Sequence, residues 1–173
     1  MQIENLQPQE FDAFFALLEE SFPTDEYRPY AEQKALFDNP LYTVCVVRDD
    51  AGDLLAAIAL WRFESFWYVE HFAVAPAARN KGLGSRFLTA LLKKTPLPVC
   101  LEVEPPNTPL ACRRIGFYER NGFFYNDYPY MQPPISAGRN AVLLQIMTAK
   151  RGVDRAEFEH MKATLYREVY HCI

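Results

Sequence analysis

The stretch Phe72-Ala73-Val74-Ala75-Pro76-Ala77-Ala78-Arg79-Asn80-Lys81-Gly82-Leu83-Gly84-Ser85 decides how this chain is read. Its first three residues end a β-rich run over residues 66–74, and Ala75-Pro76 closes that strand. After Gly82 and Gly84 the apolar residues recur at helical spacing, with Leu83, Phe87, Leu88, Leu91 and Leu92 on one face up to Lys93-Lys94. The order is therefore strand, turn, helix. A helix N-terminus presents amides that lack an intrahelical partner, together with the positive end of the dipole. Two glycines there remove the side chains that would hold an anion away, and let successive amides converge on it. With Arg79 and Lys81 adding charge, the segment reads as a pyrophosphate cradle. The competing reading is a tight turn whose glycines serve only strand–helix packing. Two nucleotide-binding classes are excluded: no GxxxxGK[ST] string occurs, and Phe87 stands where GxGxxG needs its third glycine.

Charge supports the cradle. The 173 residues carry 22 acidic and 18 basic side chains, a net charge of −4. Yet residues 71–101 contain no Asp or Glu and hold Arg79, Lys81, Arg86, Lys93 and Lys94. An acidic protein with one basic insert suits a single compact anion and not a nucleic-acid coat, so no nucleic-acid partner is expected. About 170 residues fits one domain, by a prior of roughly 100–200 residues each. The longest apolar run, residues 54–61, is far short of the roughly 20 residues that span a bilayer. Met1-Gln2-Ile3-Glu4-Asn5 lacks the basic start of a signal peptide, so no membrane partner is expected either. Cys45, Cys100, Cys112 and Cys172 are widely spaced with no CxxC pair, which points to a reducing cytoplasm and to no metal site.

Outward from the cradle, the spacing of Phe11, Phe14, Phe15 and Leu18 predicts an amphipathic helix over residues 8–22, with a short helix at 31–37. Strands are expected at 41–47 and 54–62 around the turn Asp49-Asp50-Ala51-Gly52-Asp53, then at 99–103, 123–125 and 141–147. Residues 110–120 read as a helix capped by Asn121-Gly122, and residues 126–140 as a long loop with three prolines. Asp154-Arg155-Ala156-Glu157 resembles a capping box that starts a last helix with Phe158, Met161, Leu165 and Val169 on its core face. The class is α/β.

Arg79-x-x-Gly82-x-Gly84, preceded by Val74-x-Pro76, resembles the acetyl-CoA signature of the GCN5-related N-acetyltransferase (GNAT) family, Q/R-x-x-G-x-G/A. The order of elements is similar to that family over residues 1–148, leaving residues 149–173 as a C-terminal helical extension packed on the domain or on a partner. The resemblance implies a single GNAT-like domain, with a mixed, mostly antiparallel central sheet flanked by helices. It implies an acetyl-CoA-dependent N-acetyltransferase, with the pyrophosphate on the amides of Arg79, Asn80, Lys81, Gly82, Leu83, Gly84 and Ser85. It also implies that the backbone of Phe72 and Val74 pairs with the pantetheine arm.

Acetyl transfer to an amine needs a base for an ammonium of pKa about 10.4, and an acid for the leaving thiolate. Tyr68, Glu70, Phe72 and Val74 share one parity of their strand, while Trp67, Val69, His71 and Ala73 share the other. Glu70 is a base candidate, matching polyamine-type members of the family; the bland reading is a solvent-facing or Arg-paired carboxylate. His71 is the second candidate, on the opposite face unless a β-bulge exchanges the two. Glu102 and Glu104 share a face of the next strand, where they either line the acceptor side implied by the family fold or meet solvent. Phe117-Tyr118-Glu119-Arg120-Asn121-Gly122-Phe123 resembles the family's Y-x-x-x-G-F motif, which gives Tyr118 the role of acid; packing against the sheet is the alternative. Relatives often carry an Asn seven residues before this tyrosine. Ala111 stands there, which leaves Asn107 as the nearest candidate contact to CoA.

Asp25, Glu26, Tyr27 and Arg28, and Asp127, Tyr128, Tyr130 and Met131, are acidic and aromatic groups that suit a cationic acceptor. The acceptor expected is a primary amine of a small molecule or peptide. A non-catalytic acyl-CoA sensor or interaction module, and a homodimer through the last helix, are the further arrangements that the sequence allows.

Overall fold

A computed structural model describes residues 1–172 of the chain. Ile173, the last residue of the expected C-terminal extension, lies outside the described residues. The chain divides into two compact units. One comprises Met1–Pro23 and Pro29–Leu97; the other comprises Thr24–Arg28 and the residues from Pro98 onward.

The first unit contains β1 (Glu4–Asn5), α1 (Phe11–Ser21), α2 (Tyr30–Ala35), β2 (Tyr42–Arg48), β3 (Leu54–Arg62), β4 (Trp67–Val74) and α3 (Leu83–Leu92). Strands β1 to β4 pair antiparallel in chain order. The β2–β3 turn closes as the Asp49 side chain accepts the amides of Ala51 and Asp53, both at 2.9 Å. Gly52 completes it at φ +92°, a conformation that glycine adopts without a Cβ penalty. A 3₁₀ turn at Pro8–Glu10 leads into α1, whose Phe11, Phe14 and Leu18 are shut from solvent. Each such burial contributes about 1.5–3 kcal/mol. β1 joins the edge of β2 through only two residues, too few to leave a periodic signal in the sequence.

The second unit contains β5 (Val99–Val103), α4 (Pro109–Arg120), β6 (Phe123–Tyr125), β7 (Tyr130–Gln132), β8 (Val142–Ala149) and α5 (Arg155–Glu168). β8 is its hub and pairs antiparallel with β5, β6 and β7. The expected irregular loop at 126–140 is corrected: Tyr130, Met131 and Gln132 lie opposite Leu144, Leu143 and Val142 as a short strand. α4 starts where Thr108 Oγ1 accepts the Ala111 amide at 3.1 Å and ends at Gly122, φ +84°. At α5 both halves of the capping box form: Glu157 N donates to Asp154 Oδ1 at 2.9 Å, and Asp154 N donates to Glu157 Oε2 at 3.0 Å. Phe158, Met161, Leu165 and Val169 are all buried, so the last helix covers its apolar face within the chain.

The class is α/β, with mostly antiparallel strands, flanking helices and an added C-terminal helix. No helix among the described residues is long and apolar enough to cross a membrane.

Candidate active site

Strand β4 carries an irregularity at its one carboxylate. Against β3, His71 lies opposite Ala59 and Val69 opposite Leu60, so Glu70 is an extra residue with no opposite number. This is a β-bulge, and directly opposite residues share a face. Tyr68 therefore sits with Trp61 on the face that carries His71 and Ala59, while Val69 joins Phe72 on the other. The simple parity that groups Tyr68 with Phe72 is corrected, because the bulge exchanges the faces on either side of Glu70. His71 packs edge-on against Phe22 with ring centroids 4.9 Å apart, and Phe72 against Phe87 at 6.2 Å. Glu70 Oε2 comes to 3.5 Å from His71 Nδ1, with the two side chains 1% and 2% exposed. Glu70 as a residue is half-buried, so what it shows to solvent is main chain. Phe72 and Val74 are also half-buried.

The turn after β4 is built by positive φ. Asn80 (φ +60°) and Gly82 (φ +71°) both lie in the left-handed region, and Gly82 is the N-cap of α3. No side chain caps this end, and the first amide bonded back to Gly82 O is that of Arg86 at 3.2 Å. The amides of Leu83, Gly84 and Ser85 thus have no partner in the helix, and no acidic residue sits in the first turn. Arg79 and Lys81 are exposed beside them; Arg79 Nε donates to Val74 O and Lys81 Nζ to Ala77 O, each at 2.8 Å. Three open amides, a dipole end and two cations make a coherent anion cradle that fits a pyrophosphate.

Tyr118 lies in the last turn of α4, buried between Phe117 and Phe123 with ring centroids 5.3 and 5.6 Å away. Burial pushes its hydroxyl up to about 12, against a lowering by nearby Arg114. It stays protonated at any physiological pH. Asn107 is exposed just ahead of the Thr108 cap, with its own amide turned to Pro105 O at 2.7 Å. Ala111 is buried in the first turn of α4.

The second unit also gathers carboxylates. Glu102 accepts the hydroxyl of Tyr130 on Oε1 and that of Tyr170 on Oε2, the latter at 2.7 Å. Glu104 meets Arg114 at 3.1 Å. Glu26 lies in their field: burial raises its carboxyl to about 7, Arg114 lowers it, and Glu104, Glu102 and Asp25 raise it. Sequence reading placed Glu26 among acceptor-side loop residues but had no means to see a near-neutral carboxyl, since the groups responsible are distant along the chain. Among the described residues, no group of three or more His, Cys, Asp or Glu side chains is placed to hold a metal ion.

The model of the acetyltransferase (GNAT) family matches residues 5–123, and the chain belongs to that family. It is 32% identical over 114 residues to the Bacillus subtilis (strain 168) protein described as "Putative acetyltransferase YjbC", covering 64% of this chain and 56% of that one. The match thus spans little more than half the length of this relative. A solved structure from Bacteroides thetaiotaomicron, described as a "Putative acetyltransferase from GNAT family", covers 100% of both chains at TM-score 0.90 and 32% identity. A variant of the spermidine N-acetyltransferase SpeG from Vibrio cholerae shares the fold: TM-score 0.64 at 17% identity, over 86% of this chain and 94% of that one.

Proposed function

We propose that the protein transfers an acetyl group from acetyl-CoA directly to a primary amine of a small molecule or peptide. The observation that carries this reading is the cradle at the start of α3, reached by a strand that holds the buried Glu70–His71 pair. Acetyl-CoA, when bound, supplies an acetyl group activated as a thioester. The amides of Leu83, Gly84 and Ser85 would bind the pyrophosphate, with Arg79, Asn80, Lys81 and Gly82 shaping and charging the turn. The main chains of Phe72 and Val74 would pair with the pantetheine arm, and Asn107 would add a polar contact.

In this scheme Glu70 takes the proton of the incoming ammonium, directly or through water. A carboxylate removed from bulk water holds a proton more readily than an exposed one, which suits a base. His71, 3.5 Å away, is the second group able to accept or pass on that proton. Glu102 is the weaker candidate, because two tyrosine hydroxyls already donate to its oxygens. The Tyr118 hydroxyl gives its proton to the departing sulfur and is never ionised beforehand.

A cationic amine as acceptor is supported by the acidic and aromatic residues 25–28 and 127–131, and by a fold neighbour whose substrate is spermidine. The four cysteines are free thiols, which fits a reducing cytoplasm. The test is release of CoA thiol with a panel of primary amines. Activity confined to hydroxyl acceptors contradicts the amine assignment. Acetyl-CoA binding without turnover would make the protein a sensor.

A further inference from the structure

The second unit holds a cavity of about 520 Å³, open to solvent, that no step of the transfer scheme uses. Sites for small molecules span roughly 300–1,000 Å³. One wall is a face of the β7–β8 pair. Met131 and Leu143 lie directly opposite one another and so share that face, and Gln145 follows two residues on along β8. The two apolar side chains are exposed, Met131 to 44% and Leu143 to 54%. Lys162 and Tyr166, four residues apart on α5, form another wall. Tyr166 donates its hydroxyl to the Met131 carbonyl at 2.5 Å, and Lys162 Nζ stands 5.7 Å from the centre of the Tyr166 ring. Asp127, between β6 and β7, lines a third side.

The polar groups of this lining are short of partners. The exposed Asp127 carboxylate makes no hydrogen bond or ion pair among the described residues. Lys162 has a single ion pair there, with Glu159 of its own helix at 3.7 Å. Gln145 Oε1 is shut from solvent and accepts no hydrogen bond. Asp127 and Lys162 thus line one cavity without pairing with each other.

This combination selects an occupant by elimination. A simple cation meets the like charge of Lys162, and a simple anion meets that of Asp127. A neutral apolar molecule strips water from both charges and from the Gln145 amide without replacing the lost hydrogen bonds. A zwitterion with apolar side chains answers every wall: its ammonium faces Asp127, its carboxylate faces Lys162, its amide faces Gln145, and its side chains cover Met131 and Leu143. We propose that the cavity is a binding site for a short zwitterionic peptide with apolar side chains. The site is one of binding, and it does not rest on the transfer reading.

Calorimetry of the full chain with leucylleucine, in the absence of acetyl-CoA, tests this. N-acetyl-leucylleucine lacks the ammonium and leucylleucine amide lacks the carboxylate, and each is expected to bind about fivefold more weakly than the parent. Asp127→Asn is expected to abolish the distinction between the parent and the N-acetyl form, and Lys162→Gln the distinction between the parent and the amide. Each variant keeps the other distinction. Asp127 is exposed and Lys162 half-buried, so both variants are expected to fold, with melting curves as the check. The methyl signals of Met131 and Leu143 are expected to shift as leucylleucine is added. No binding of leucylleucine, equal binding of all three compounds, distinctions that survive both substitutions, or methyl signals that stay in place overturn the proposal. The expected binding pattern in a protein that releases no CoA thiol with any amine upholds the cavity and overturns the transfer reading alone.

Discussion

Glu70 and His71 are neighbours on one strand, yet their side chains meet, with Glu70 Oε2 3.5 Å from His71 Nδ1 and neither more than 2% exposed. Consecutive residues of a regular strand point to opposite faces. The bulge at Glu70 relaxes that alternation and lets a carboxylate and an imidazole share one dry position. Buried titratable groups are costly to hold in a fold unless they are paired, and such pairs concentrate at functional sites, which is why this pair is proposed for the base chemistry.

Glu70→Gln preserves shape and hydrogen-bonding capacity but cannot take a proton. A drop in kcat of about 10²–10⁴ is expected, with the acetyl-CoA Kd unchanged, because general-base catalysis contributes on that scale. Stopped-flow thiol release paired with calorimetry checks both halves. A variant with full kcat would move the role of base to His71 or Glu102.

Tyr118→Phe is expected to lower kcat by about 10²-fold at neutral pH without weakening acetyl-CoA binding. The acid form is the active one, and the hydroxyl holds its proton up to about pH 12. Tyr118 therefore contributes no alkaline fall in kcat at ordinary assay pH. A basic limb near pH 9 that vanishes in the phenylalanine variant would contradict this assignment.

Gly82→Ala meets no steric obstacle, since beyond its two chain neighbours no atom lies within 4 Å of the added Cβ. The cost is conformational, because φ +71° is left-handed and costs an L-residue about 1–2 kcal/mol. In a chain of this size that lowers Tm by about 2–8 °C. The same change is expected to weaken acetyl-CoA binding, since the turn is the proposed cradle. Scanning calorimetry and ligand titration separate the two effects.

Glu26→Gln changes how stability depends on pH. In the folded chain the Glu26 carboxyl keeps its proton up to about pH 7, and its ordinary value is 4.5. Between those values the folded state binds more protons than the unfolded state. The contribution of Glu26 is therefore full below pH 4.5 and is lost as pH rises through 7. Glutamine removes that loss, so the variant is expected to melt above wild type at pH 8, with the gap closing towards pH 5. Parallel melts at the two pH values check it.

The parts of the molecule that were legible in the sequence are those specified locally. The turn from Val74 to Ser85, the apolar face of α3 and the Asp154 capping box all depend on residues within a few positions of one another, and the structure forms each of them. The bulge at Glu70 was not legible as a fact, because counting parity assumes unbroken pairing, whereas the register is set across to β3. β7 escaped because three residues between Pro129 and Pro133 carry no usable period, and their partner strand lies beyond the loop. The state of Glu26 escaped for the same physical reason: burial, Arg114, Glu104 and Glu102 act on it through space. The double clamp on Glu102 likewise joins Tyr130 and Tyr170 from separate elements.

Acetyl transfer itself is most directly tested by following CoA thiol and acetylated amine together, with purified full-length protein, acetyl-CoA and a panel of primary amines. The expected result is one thiol released per amine acetylated with at least one member of the panel, and loss of both in Glu70→Gln and Tyr118→Phe while acetyl-CoA still binds. Binding of acetyl-CoA with no thiol released for any amine, or turnover that is untouched in both variants, would contradict the account.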